Sequence, residues 1–244
     1  MKARTWLLSS VATVALAFNA SAADMSLPMK APVAVYAAPF SWTGVYLGVS
    51  AGGIGISSEN TYTNTAVGDV ICCGNTDTNR GTGVLAGGTI GYNYQGWGPW
   101  VIGVEADYSM ASAQTGTSAS FNFGGGNGTA SISSLGTLRG RLGWASDHTL
   151  LFITGGLAWG DITNVAAVPV AGAGCRQGFS GTQTGWTFGG GVEHALSDHF
   201  TVKLEALYVD FGTRSTASTR CGCAFGFSAK TTAAIGRLGL NYKF

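Results

Sequence analysis

From Trp100 to Tyr108 the chain alternates without a break. Trp100, Ile102, Val104, Ala106 and Tyr108 fall on one side, and Val101, Gly103, Glu105 and Asp107 on the other. Successive side chains of a strand point to opposite faces, so the segment predicts a strand with one apolar and one partly charged face. Its nine residues match the roughly 9–11 that a tilted strand needs to cross the hydrocarbon layer of a membrane. A strand of a soluble sandwich is usually shorter, about 5–6 residues. Large aromatics close the apolar face at both ends, where the two membrane interfaces should lie.

The same alternation recurs. Val45, Leu47, Val49 and Ala51 oppose Tyr46, Gly48, Ser50 and Gly52, and Val84, Ala86, Ile90 and Tyr92 oppose Gly87, Thr89, Gly91 and Asn93. Leu138, Leu142 and Trp144 oppose Thr137, Arg139, Arg141 and Gly143, and Trp186, Phe188 and Val192 oppose Thr187, Gly189, Gly191 and Glu193. Val202, Leu204, Ala206 and Tyr208 oppose Thr201, Lys203 and Glu205, and Leu238, Leu240, Tyr242 and Phe244 oppose Arg237, Gly239, Asn241 and Lys243. Segment 149–160 is apolar on both faces, and Trp159 sets its phase so that Leu151, Ile153 and Leu157 point outward.

These eight segments predict an all-β fold, an eight-stranded antiparallel up-and-down transmembrane β-barrel. The connections alternate in length: 95–99, 145–148 and 197–199 are tight, whereas 56–81, 109–131, 161–183 and 211–229 are long. Short periplasmic turns and long outer loops give this asymmetry. Trp42, Trp100 and Trp144 then mark a periplasmic belt, and Trp159 and Trp186 an outer one.

Composition agrees. Only 10% of residues are charged and 39 are glycine, against about 25% charged in soluble domains. Past the first residues no run approaches the roughly 20 apolar residues of a spanning helix. The start itself has the layout of a secretory leader: Lys2 and Arg4, an apolar stretch from Trp6 to Phe18, then Ala20-Ser21-Ala22. The expected organisation is a signal peptide over 1–22, a proline-containing periplasmic linker over 23–41 and the barrel over 42–244. Without Lys2 and Arg4, eleven of the 13 basic residues stand against 12 acidic ones. No basic surplus points to nucleic acid.

Trp42-Thr43-Gly44-Val45-Tyr46-Leu47-Gly48, Gly155-Gly156-Leu157-Ala158-Trp159-Gly160 and Gly185-Trp186-Thr187-Phe188-Gly189-Gly190-Gly191-Val192-Glu193 carry a family likeness. So do Lys203-Leu204-Glu205-Ala206-Leu207-Tyr208 and the closing Gly236 to Phe244. At these stretches the chain resembles the small OmpA-like outer-membrane barrels of alphaproteobacteria, the porin-family or opacity-type surface antigens. The resemblance covers about 42–244. It implies an abundant surface protein with a structural or host-contact role and no defined catalytic residue. It also implies an assembly signal, with Phe244, Tyr242 and Leu240 read by the barrel-assembly machinery.

Site chemistry is sparse. A lipid-modifying or proteolytic barrel needs His, Ser and a carboxylate at the outer rim, but His148, His194 and His199 all fall at the periplasmic end. Gly124-Gly125-Gly126-Asn127-Gly128 lacks the Lys-Ser/Thr of a phosphate loop and reads as a flexible outer loop. Phe121 and Phe123 beside it offer a faint adhesive patch. Cys72, Cys73, Cys175, Cys221 and Cys223 fall in the expected outer loops, where disulfides are favoured over a soft-metal site. Their odd number leaves one thiol over. No cofactor is expected.

The inward phase collects Glu105, Asp107, Arg139, Arg141, Glu193, Lys203, Glu205 and Arg237. Placing Trp100 opposite Trp144 sets Glu105 against Arg139; the neighbouring hairpins set Glu193 near Lys203 and Glu205 near Arg237. Eight strands leave an interior just wide enough for side chains, so this nearly balanced set is expected to plug the lumen. A small diffusion channel and an adhesin or ligand-binding surface protein are the alternatives. Expected partners are outer-membrane lipid, the assembly machinery and host or environmental ligands at the loops.

Overall fold

The computed structural model describes residues 40–64, 76–115, 119–121, 124–170, 173–218 and 225–244. The leader at 1–22, nearly all of the linker at 23–41, and Cys72, Cys73, Cys221, Cys223 and Phe123 lie outside them. Among the described residues there are nine strands: β1 (Gly44–Asn64), β2 (Thr76–Trp97), β3 (Trp100–Thr115), β4 (Ala119–Phe121), β5 (Gly124–Ser146), β6 (Thr149–Val170), β7 (Ala173–Ala195), β8 (Phe200–Ser218) and β9 (Phe225–Lys243). All but β4 pair antiparallel with both neighbours in a closed ring, β1 joining β9 and β3 joining β5. β4 is a short hairpin partner of Gly124–Gly126.

The register fixes the barrel's shape. Tyr46 pairs with Gly91, Gly91 with Glu105, Glu105 with Arg139 and Arg139 with Gly156. Gly156 pairs with Thr187, Thr187 with Val209, Val209 with Ala233, and Ala233 returns to Ile56. One circuit therefore climbs from Tyr46 to Ile56 on β1, a stagger of ten residues. With about 3.3 Å per residue and about 4.8 Å between strands, eight staves so staggered tilt by roughly 40°.

Each of the eight staves turns an exposed apolar side chain outward: Leu47, Ile90, Val104, Leu138, Ile153, Phe188, Leu204 and Leu238. Aromatic contacts edge this band. Trp100 meets Trp144 at 5.0 Å and Phe200 meets Tyr242 at 5.3 Å near the turns, and Trp186 meets Tyr208 at 5.6 Å at the far edge. The turns themselves are short. Gly98 (φ 59°) and Asp147 (φ 48°) open the two tightest with the positive φ that a hairpin of this kind requires.

Three expectations change. Trp42 is not a belt residue; it is 1% exposed and packs inside the barrel mouth against Phe40, Val101 and Leu150. Gly44 (φ 147°) brings the chain from this inner position onto β1, and a Cβ there would stand 3.0 Å from the Phe244 carbonyl oxygen. All four segments expected as long loops are partly strand, since β1, β3, β6 and β8 and their partners run well past the apolar band. Above the band the outward face turns polar, so the lipid-facing apolar stripe ends while pairing continues through Thr and Ser, as where Ser215 and Ser228 hydroxyls lie 3.1 Å apart. For the same reason Gly124–Gly128 belongs to β5, and the backbone of Cys175 lies in β7 opposite Val168 rather than in a loop.

Candidate functional site

The inward faces of the staves stack in layers. At the turn end Phe40, Trp42, Val101, Ala145, Leu150, Phe152 and Ala195 form an apolar stopper. Phe40 and Trp42 meet edge to face at 4.9 Å, and the Lys243 ammonium sits 4.3 Å from the centre of the Phe40 ring. The Trp42 amide donates to Gln95 Oε1 at 3.0 Å, and Lys243 Nζ donates to the Ser41 carbonyl. The end of the expected linker is thus folded into the barrel mouth.

Above the stopper lies the charged layer. The eight inward ionic residues are all at most 5% exposed, and the structure brings them together within a height of about 12 Å. Arg139 contacts three carboxylates: Glu105, Asp107 at 2.9 Å and Glu205 at 2.6 Å. Arg237 bridges Asp107 at 2.9 Å and Glu205 at 2.7 Å. Arg141 pairs with Glu193 at 2.8 Å, and Lys203 with Glu105 at 2.7 Å. Four carboxylates and four cations balance, which is the condition for holding charge out of water, where an unpaired ion costs several kcal/mol.

One expected partnership differs. Glu193 and Lys203 are register partners across the β7–β8 turn, yet their charges go to Arg141 and Glu105. In so narrow a barrel the long Lys203 stem reaches the opposite wall, so partners follow the lumen's diameter as well as the ladder.

Neutral side chains complete the layer, and the sequence reading did not single them out. The Tyr46 hydroxyl donates to Glu105 Oε2 at 2.6 Å and accepts from Arg141 Nη1 at 3.0 Å. Thr201 Oγ1 and Asn241 Nδ2 donate to Glu193 Oε1 at 2.6 and 2.8 Å, and Thr137 donates to Asp107. Arg141 also lies 4.1 Å from the centre of the Phe152 ring. Their signal was their inward phase on the same strands.

A second apolar layer covers the charges on the other side. It contains Ile54, Ile56, Leu85, Ile132, Leu135, Ile162, Leu207, Val209, Phe211 and Ile235, all buried. The sequence reading placed small and polar residues inward and did not identify this layer. Several of its residues alternate with exposed apolar ones, Leu85 with Val84 and Leu207 and Val209 with Tyr208, so an apolar residue there gave no contrast to read.

No group of three or more metal-ligating side chains is found among the described residues. His148, His194 and His199 stand at the turn end, where His199 stacks on Tyr242 at 5.6 Å and Thr149 Oγ1 lies 3.0 Å from His194 Nδ1. The exposed terminal Phe244 packs on Tyr242 at 5.0 Å, and Leu240 faces outward two residues earlier.

Comparison with known proteins places this geometry. The model of the outer membrane protein beta-barrel domain matches residues 10–244. The 31 kDa outer-membrane immunogenic protein of Brucella melitensis is 31% identical over 239 residues, covering 96% of this chain and 98% of that protein. The 22 kDa outer membrane protein of Rhizobium leguminosarum is 29% identical over 154 residues, 63% of each chain. Among solved structures, the outer membrane protein OprG from Pseudomonas aeruginosa superposes with a TM-score of 0.52 at 11% identity, covering 83% of this chain and 96% of that one. The outer membrane protease OmpT from Escherichia coli gives 0.50 at 11% identity, covering 86% and 99%. At such identity both likenesses concern the fold alone.

Proposed function

Since the chain belongs to the outer membrane protein beta-barrel domain family and resides in the bacterial outer membrane, we propose that it is a structural, non-enzymatic surface barrel whose lumen is plugged. The observation that carries this reading is the layering: eight paired charges stand between two apolar layers. A conducting pore needs a continuous wet path, and two dry layers in series oppose one. The immunogenic relatives support a surface role, and the strands that continue past the apolar band supply the surface presented outside. The long outer connections are the part offered to host or environmental ligands.

Residues 1–22 act as an export leader and 23–41 as a periplasmic linker in this reading, with Phe40 and Ser41 as its anchored end. Lipid contacts the apolar band, and the assembly machinery reads Leu240, Tyr242 and Phe244. At least one disulfide joins Cys221 or Cys223 to Cys72, Cys73 or Cys175, which peptide mapping without reductant checks; five free thiols would reject it. Planar-bilayer recording on the refolded protein tests the plug. Silent bilayers are the expected result, and steady porin-sized conductance would replace the plug with a diffusion channel.

A further inference from the structure

The outward face of a closed barrel is convex, so a lipid chain lying along it is touched from one side. Between β1 and β3 that face is interrupted. One outward row runs through Val49, Gly88, Tyr108, Gly136 and Trp159 on β1, β2, β3, β5 and β6. The outward row beneath it begins with Leu47, Ile90 and Ala106. Large side chains therefore stand around two positions that offer little or nothing, Gly88 and Ala106. They leave a groove of about 510 Å³ with an almost wholly apolar lining, between Leu47 and Ile90 at its lower end and Tyr108 and Trp159 at its upper end. A Cβ on Gly88 would meet nothing closer than the Gly48 carbonyl oxygen at 3.8 Å, so the floor is open from outside.

Trp159 reaches this groove from two staves beyond Tyr108. Its indole lies over Gly136, where a Cβ would stand 2.4 Å from the ring's Cε2 and Nε1, and Gly136 is buried although it faces outward. The missing side chain thus lets a belt tryptophan fold down as a wall. The depth of the groove identifies its surroundings. Ala106 stands between Glu105 and Asp107 of the charged layer, in the middle of the apolar band, and Trp159 stands at the outer aromatic edge. In a chain of this family that stretch is immersed in hydrocarbon. Lipid chains are as apolar as the band, so packing contact rather than a hydrophobic drive decides which chain stays. A chain in the groove touches a floor and two walls.

We infer that this groove holds one acyl chain of an outer-leaflet lipid, its carbonyl end at Tyr108 and Trp159 and its methyl end toward Leu47 and Ile90. The orientation follows from the belt: Trp and Tyr collect where the polar part of a lipid begins, and chain ends lie at mid-depth. Selection is by the chain and not by the headgroup. No lining residue is cationic, and Asp107, which borders the floor, turns its carboxylate inward to Arg139 and Arg237. A second barrel fits less well, because its own convex face would be held off by Tyr108 and Trp159 standing above the floor.

Native mass spectrometry of the protein released from detergent micelles, titrated with dipalmitoyl phosphatidylethanolamine, tests the site. One lipid should survive the activation that strips the rest. Gly88→Phe fills the groove and should lower the affinity for that lipid about tenfold or more. Trp159→Ala removes the upper wall and should lower it several-fold. Gly236→Phe adds the same bulk to the outward face of β9, where a Cβ meets nothing within 4 Å, and should bind like the parent. Dihexanoyl phosphatidylethanolamine, with the same head and chains too short to fill the groove, should not be retained. Heat-modifiable migration shows which variants fold. Unchanged retention in Trp159→Ala and in any folded Gly88→Phe protein would overturn the proposal. Equal loss in Gly236→Phe, or equal retention of the short-chain lipid, would do the same. A dimer that disappears with Gly88→Phe, in place of a lipid adduct, would give the groove to a second barrel and overturn it too.

Discussion

Lys203 Nζ lies 2.7 Å from Glu105 Oε2, although β8 and β3 stand four positions apart on the ring of eight staves. The pair spans the lumen wall to wall. Glu105 also holds Arg139 and accepts from Tyr46, whereas Lys203 has Glu105 as its one carboxylate contact among the described residues. The two ends of this bridge are therefore not equivalent, and mutation should reveal it.

Glu105→Ala leaves the buried Lys203 ammonium unpaired and should destabilise the barrel by about 3–5 kcal/mol. Adding Lys203→Met removes the stranded charge while keeping the stem. The double variant should then be more stable than Glu105→Ala alone, the reverse of additivity. Urea titration of the protein folded into lipid vesicles reads both. A double variant weaker than Glu105→Ala by the full cost of a second buried residue would mean that the layer is hydrated.

The stopper predicts a contrast between two tryptophans. Trp42 is buried within the mouth and Trp144 is 48% exposed on the lipid side. Trp42→Ala opens a cavity against Val101 and Leu150 and should cost about 3–5 kcal/mol. Trp144→Ala forfeits mainly its edge-to-face contact with Trp100, about 0.5–1.5 kcal/mol beyond its lipid burial. Equal losses in the two vesicle unfolding curves would show that residues 40–42 do not seat in the mouth in solution.

How much of this was legible follows from contrast. Where one face meets lipid, as at Leu204 and Leu238, the opposite phase at Lys203, Glu205 and Arg237 stands out, so the spanning staves and their inward charges were readable. The phase of 149–160 was readable only because Trp159 broke a tie between two apolar faces. Partner choice was not readable for Glu193 and Lys203, because a linear ladder carries no information about the opposite wall. Trp42 looked like a belt aromatic since nothing in its composition distinguishes lipid from an apolar interior; the turn at Gly44 decides. The upper apolar layer was hidden because residues such as Leu85 and Leu207 sit beside the equally apolar, outward Val84 and Tyr208, so neither phase stood out.

Phe244 separates assembly from stability. Its ring is 65% exposed and touches Tyr242 at 5.0 Å, so Phe244→Ala should change the unfolding free energy of the finished barrel by less than about 1 kcal/mol. If the residue is an assembly signal, the same change should reduce the amount of folded protein in the outer membrane several-fold. Comparing cellular levels with refolding in vitro tells the two apart. Unchanged cellular levels would remove Phe244 from that role.

The depth of the membrane along the staves is open to a charge scan. Leu204 is 57% exposed on the outward face of β8, near the middle of the apolar band. Thr78, also outward and exposed, lies on β2 opposite Glu59, above the aromatic edge. A lysine at mid-depth on the lipid face costs about 2–4 kcal/mol, falling to about 0–1 near the interface. Leu204→Lys should therefore unfold at clearly lower urea in vesicles, whereas Thr78→Lys should match the parent. In zwitterionic detergent, where the apolar layer deforms around the charge, the Leu204→Lys deficit should shrink. A penalty at Thr78 as large as at Leu204 would place the bilayer around the outer extension as well as around the apolar band.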